Sequence, residues 1–162
     1  EVKKNNNVQQ ILVSRSQPGL VKRLFESEVP EIFDGVVQIK YISREAGSRT
    51  KMAVHSVDEN VDPIGACVGP KGQRVKNIVD ELKGEKIDII IYSEDPKEFI
   101  SASLSPSKVI AVDVNEDDKS AKVVVPDDKL SLAIGKEGQN ARLAAKLTGW
   151  KIDIKSESQA EL

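Results

Sequence analysis

Ile64-Gly-Ala-Cys-Val-Gly-Pro-Lys-Gly-Gln-Arg-Val-Lys-Asn-Ile78 and Leu130-Ser-Leu-Ala-Ile-Gly-Lys-Glu-Gly-Gln-Asn-Ala-Arg-Leu-Ala144 are two copies of one pattern. The second begins 66 residues after the first (130 − 64). Each runs on into Leu-x-Gly-x-Lys-Ile-Asp-Ile, at 82–89 and 147–154, now 65 residues apart (147 − 82). The chain is therefore an internal repeat, and its fold is the fold of one unit twice over.

Working outward from the paired stretch, the apolar residues before each Gly-x-x-Gly are Ile64, Cys67, Val68 and Leu130, Ala133, Ile134. Both sets follow i, i+3, i+4, the stripe of a short amphipathic helix. Asp62 is a natural cap with Pro63 at the first helical position, and Asp127 or Asp128 serves the second copy. Beyond the glycines, Val75, Ile78, Val79 and Leu82 again have helical spacing, and Ala141, Ala144 and Ala145 with Leu143 and Leu147 give a slimmer version. Gly84 and Gly149 fall where helix C-termini favour glycine. Ile87–Ile91 and Ile152–Ile154 read as strands. Upstream, each copy has a hairpin: 36–44 with 50–57 around Ala46-Gly47-Ser48, and 109–114 with 121–125 around the polar turn 115–119. A helix precedes each hairpin, one at about 18–28 and one opening at Asp95-Pro96. The expected class is α/β (α+β), with each unit a three-stranded sheet packed with three helices.

Composition narrows what such a chain can do. Of 162 residues, 39% are apolar, enough for packed cores, and 31% are charged. A net charge of −2 argues against wrapping duplex DNA by charge alone, although a local basic patch on an acidic body still suits nucleic acid. One cysteine and one histidine leave no disulfide and no Cys/His zinc site. No metal site or cofactor is expected. No apolar run approaches a membrane span, and no secretory signal is visible. The expected compartment is the cytoplasm. The opening Glu1–Asn7 reads as a solvated linker or fragment edge.

The loops carry the chemistry. Paired glycines let the chain turn sharply between helices and strip side chains from the turn, so a sugar–phosphate backbone can approach the main chain. Each loop also opens a helix N-terminus, whose N–H groups and dipole favour a phosphate. Lys71 and Lys136 sit within the loops, and Arg74, Lys76 and Arg142 follow within about a turn. Stretch 69–86 has five cations against three anions, and stretch 135–151 four against one. Glu137 is the discordant residue, an anion in the second loop.

Two such loops, each between short helices and followed by a strand, resemble the KH family of single-strand RNA-binding domains, in its type II arrangement. The resemblance implies contacts from Gly69, Pro70, Lys71, Gly72, Gln73, Arg74 and Lys76 in the first copy. In the second it implies Gly135, Lys136, Glu137, Gly138, Gln139, Asn140 and Arg142. It also implies apolar groove floors from Ile64, Val68, Leu130 and Ile134. The tandem pair, the two loop motifs and the lead-in Ile-Leu-Val-Ser-Arg-Ser (11–16) are similar to the NusA family of bacterial transcription factors. That likeness implies binding of nascent transcripts and action in pausing, termination and antitermination. RNA polymerase would be met through regions outside this chain. It places a remnant of an OB-fold domain in 1–16, KH domains at 17–93 and 94–157, and a tail at 158–162.

Other readings are plainer. Cys67 reads as a buried small apolar residue, His55 as a strand histidine and Trp150 as cover for an edge or a domain interface. The acidic residues at 58–62 and 116–118 lack calcium-loop spacing. No nucleophile–base pair or paired carboxylates sit at a telling spacing, so no enzyme is expected. The alternative to an RNA-binding monomer is a protein-interaction scaffold of the same fold with weak or lost RNA binding, supported by the acidic balance and Glu137.

Overall fold

The computed structural model describes residues 18–160. The proposed OB-fold remnant lies outside the described residues. The first unit comprises α1 (Pro18–Glu28), α2 (Pro30–Phe33), β1 (Val37–Glu45), β2 (Arg49–Ser56), α3 (Pro63–Val68), α4 (Gln73–Glu81) and β3 (Lys86–Ile91). The second comprises α5 (Pro96–Ser103), β4 (Ala111–Asn115), β5 (Ser120–Val125), α6 (Leu130–Ile134), α7 (Gln139–Thr148), β6 (Lys151–Ser156) and α8 (Glu157–Ala160). Each unit holds a three-stranded sheet, in the orders β1-β2-β3 and β4-β5-β6. In each the hairpin pair is antiparallel and the last pair parallel.

Local chemistry sets these elements. Asp62 caps α3 by accepting from the Ile64 amide at 3.1 Å, with Pro63 at the first helical position. Asp95 does the same for α5 through the Lys97 amide. The second copy departs from expectation. Asp127 lies in a 3-10 turn, and its carboxylate accepts from the amide and hydroxyl of Ser158. The N-cap position of α6 is Lys129, with no side-chain cap. Asp127 thus fastens α8, in the region expected to be a tail. A fourth, short helix, α2, enters the first unit where Pro30 restarts the chain after Val29.

Two cores follow the repeat. Val21, Phe25, Val29, Val37, Met52, Val54, Cys67 and Ile78 fill the first. Ile100, Leu104, Val123, Val125, Ala133 and Ala144 fill the second, with Trp150 packed against it. Trp150 therefore serves its own unit's core rather than the junction. A third cluster joins the units: Ala53 and Ile90 from the first sheet meet Phe99 and Leu147 from α5 and α7, flanked by Tyr92 and Ala102. Tyr41, Tyr92 and Phe99 meet there in tilted and edge-to-face pairs with ring centroids 5.2–6.0 Å apart.

The first sheet is consequently covered on both faces. Along β2, residues 50–54 are all buried, whereas β5 alternates buried Ala121, Val123 and Val125 with exposed Lys122 and partly exposed Val124. One solvated face gives alternation, and two covered faces give a continuous buried run. Lys51 lies in that covered face with its side chain fully buried. Its ammonium donates to Asp88 at 2.9 Å and to the Ser105 carbonyl of the second unit at 2.6 Å. Burial pushes its pKa down, and the Asp88 charge opposes that shift.

Candidate nucleic-acid interface

The two loops share one backbone. Gly69 has φ 79°, ψ 172° and Gly135 has φ 82°, ψ 167°, a region open essentially to glycine alone. Lys71 (φ 55°) and Glu137 (φ 57°) are left-handed, as are Gly72 and Gly138 after them. Each turn closes when the second glycine's amide donates to the first glycine's carbonyl at 3.0 Å. The first glycine of each loop is required twice over. A Cβ on Gly69 would lie 2.6 Å from Arg74 Cγ, and one on Gly135 would lie 2.6 Å from the Asn140 amide nitrogen.

Each loop delivers a helix start without a side-chain cap: Gly72 and Gly138 are the N-cap residues of α4 and α7, and neither first turn is acidic. The uncapped amides and the positive dipole end face the turn. Lys71, Pro70, Lys136 and Glu137 are exposed on it, as is Lys76 one turn on. Ile64, Val68 and Leu130 are half-buried, and Ile134 is exposed. Ile64 and Leu130 pack against the first and second cores. α3 packs beside β3 and α6 beside β6. Ile91 on β3 and Leu132 on α6 are exposed large apolar side chains outside the helical stripe read from the sequence.

Four expected strand-contacting side chains are engaged inside the protein. Arg74 pairs with Glu31 at 3.1 Å and donates to the Ala66 carbonyl at 2.7 Å, lying beneath Gly69. Asn140, which takes the same repeat position, is buried and donates to the carbonyls of Ala133 and Leu104. Gln139 reaches the first unit, donating to Ser48 Oγ at 2.7 Å and Glu45 Oε1 at 3.1 Å. Arg142 grips the Glu45 carboxylate with Nε at 2.5 Å and Nη2 at 2.8 Å, and its Nη1 donates to the Glu137 carbonyl at 3.1 Å. The hydrogen bond from Arg142 pulls the Glu45 carboxyl down to about 2; burial opposes this and Gln139 assists. Gln73 stays on its own helix, donating to Asn77.

Cys67 is buried, and burial pushes its thiol up to about 12, so it stays protonated and unreactive. His55 is exposed on β2. Among the described residues no cluster of His, Cys, Asp and Glu is arranged to hold a metal ion. None of the described helices is long and apolar enough to cross a membrane.

The sequence pattern of a NusA-like first KH domain matches residues 15–92, and that of a NusA-like second KH domain matches residues 96–162. The transcription termination/antitermination protein NusA of Halalkalibacterium halodurans is 65% identical over 161 residues, covering 99% of this chain and 42% of that protein. Its counterpart in Bacillus subtilis is 65% identical over 160 residues, covering 99% and 43%. That of Thermus thermophilus is 51% identical over 152 residues, covering 94% and 39%. The chain thus spans about two fifths of the length of these relatives. The crystal structure of APE1850 superposes with a TM-score of 0.59 at 26% identity, covering 83% of this chain and 95% of that one.

Proposed function

The chain belongs to the NusA-like tandem KH family, and from that premise we propose that it binds single-stranded RNA with both loops, within a protein that acts on transcription termination and antitermination. The observation that carries this reading is the identity of backbone in two loops of different sequence, each presenting an uncapped helix start. Two phosphate-sized approaches are thereby held in fixed relation by the aromatic and ionic junction. A strand spanning both meets the second at high effective concentration. With about four nucleotides per loop, a shared site needs on the order of eight or more. RNA polymerase is the partner of the larger protein, through regions outside this chain; the chain itself works as a cytoplasmic monomer without catalysis. The scaffold alternative draws on the acidic balance and Glu137, and the exposed Lys71 and Lys76 of the first loop weigh against it.

The test is a titration with single-stranded RNA of about five and about ten nucleotides, and with duplex RNA. Affinity should rise steeply with length and fall with duplex. Changing Pro70 and Lys71 together to Asp retains both glycines, and Asp tolerates the left-handed position. That variant should stay folded and lose about tenfold or more in affinity, as two anions beside a phosphate require. An unchanged dissociation constant in the folded variant would overturn the reading.

A further inference from the structure

Glu45 closes the β1 strand of the first unit, yet its carboxylate faces the second loop. Arg142 binds it through two nitrogens and turns the third to the Glu137 carbonyl. Glu137 is the left-handed, non-glycine residue at the tip of the second turn. Such a conformation persists only where surrounding contacts hold it. Gln139, the first residue of α7, is tied to the same carboxylate and to Ser48. The hairpin tip of the first unit therefore grips the second loop at both ends of its last turn. The first loop is built differently: Arg74 draws on Glu31 and Ala66 of its own unit.

We propose that Glu45 is a positioning residue for RNA binding at the second loop, acting across the unit boundary through Arg142 and Gln139. This rests on the RNA-binding reading above. In this arrangement Arg142 holds the turn instead of meeting a phosphate, and the second loop reaches its binding geometry only when the first unit is docked against it. The carboxyl stays ionised far below neutral pH, so the grip is constant under ordinary conditions.

The experiment uses the whole chain and compares amide exchange at Gly138 with that at Gly72, the amides that close the two turns. Glu45→Ala should speed exchange at Gly138 and leave Gly72 unmoved. Arg142→Lys keeps a cation for Glu45 but cannot bridge to the Glu137 carbonyl as well, and should have the same effect. Ser43→Ala removes another bond between the units, Ser43 Oγ to the Leu143 carbonyl at 2.8 Å, without touching the loop. A role in docking alone predicts that Ser43→Ala and Glu45→Ala behave alike; positioning predicts that only Glu45→Ala moves Gly138. In a chain whose first loop already carries Pro70→Asp and Lys71→Asp, Glu45→Ala should weaken residual binding of a ten-nucleotide strand about threefold to tenfold. Wild-type RNA binding with Gly138 exchange and residual affinity both unmoved by Glu45→Ala overturns this inference and leaves the RNA reading standing. Absence of wild-type RNA binding removes that reading, and the inference falls with it.

Discussion

The first loop is completed by its own unit, and the second is completed by its neighbour. Beneath Gly69 lies Arg74, a long side chain held by Glu31. Beneath Gly135 lies the backbone of Asn140, with a short amide side chain that satisfies two carbonyls. The same turn is thus supported once by a flexible ion pair and once by main chain, with the hairpin of the other unit as a brace. The sheets show the same division. Lys51 and Asp88 face each other across β2 and β3, and Lys122 and Asp153 take the matching register on β5 and β6. The first pair is enclosed by the second unit; Lys122 and Asp153 are exposed. Equal sequence in a repeat does not mean equal energetics, because one copy has a neighbour on that face and the other does not.

The sharpest way to break this comparison is to remove both lysines in turn. Lys51→Ala leaves Asp88 half of its partners and the Ser105 carbonyl without a donor, at a cost of about 3 kcal/mol. Lys122→Ala should change stability by less than about 0.5 kcal/mol. Urea denaturation of both variants checks this, and equal losses would show that the enclosed face contributes nothing special.

The glycines sharpen the contrast between loops. Alanine at Gly135 meets main chain in a glycine-only region and should cost about 3 kcal/mol. At Gly69 the obstacle is chiefly the Arg74 side chain, which can move in part, so the loss should be smaller. At Gly72 and Gly138 a Cβ meets nothing closer than 4.0 Å, so only left-handed strain remains, about 1 kcal/mol. The order Gly135, Gly69, then Gly72 with Gly138, read from thermal or urea midpoints, is the prediction; equal losses at all four would refute it.

Glu137→Lys should tighten RNA binding a few-fold and steepen its salt dependence by about one charge, since it replaces an anion near the strand. Lys71→Arg, which keeps its charge, should do little. A titration at several salt concentrations decides, and weaker binding by the lysine variant would mean that Glu137 itself contacts the strand.

The smallest effect concerns pH. Glu45 has its carboxyl lowered from 4.5 to about 2, so the brace it supplies is fully present above pH 4.5 and is lost as pH falls through about 2. Following the Glu45 carboxyl by carbon NMR should give a midpoint near 2. A midpoint near 4.5 would mean that the grip on Arg142 does not form in solution.

Much of this was legible in the residues. The doubled motif gave the element order, and Asp62-Pro63, Asp95-Pro96 and Gly149 mark helix ends where expected. The fates of the polar side chains were not legible. Arg74, Gln139 and Arg142 look like strand contacts because their spacing from the glycines is right, yet their partners lie 43, 94 and 97 residues away in sequence. Only tertiary packing brings Glu31 and Glu45 beside them. Lys51 misleads for a related reason, since a lysine in a strand suggests solvent. The neighbouring signal was Ala53 and Ile90, apolar on the same face. Asp127 was drawn from its helix by Ser158, a partner 31 residues on that no local rule anticipates.

The outer face of the second sheet carries a further consequence. The position equivalent to Ile90, by the 65-residue offset, is Lys155, and it is exposed. A series of like units needs a last member whose free face is content in water, or each new face would recruit another. Ile90 receives a neighbour; Lys155 would have to be stripped of water to do so. One exchange of isoleucine for lysine thus sets a desolvation cost against covering that face of the second unit as the first is covered.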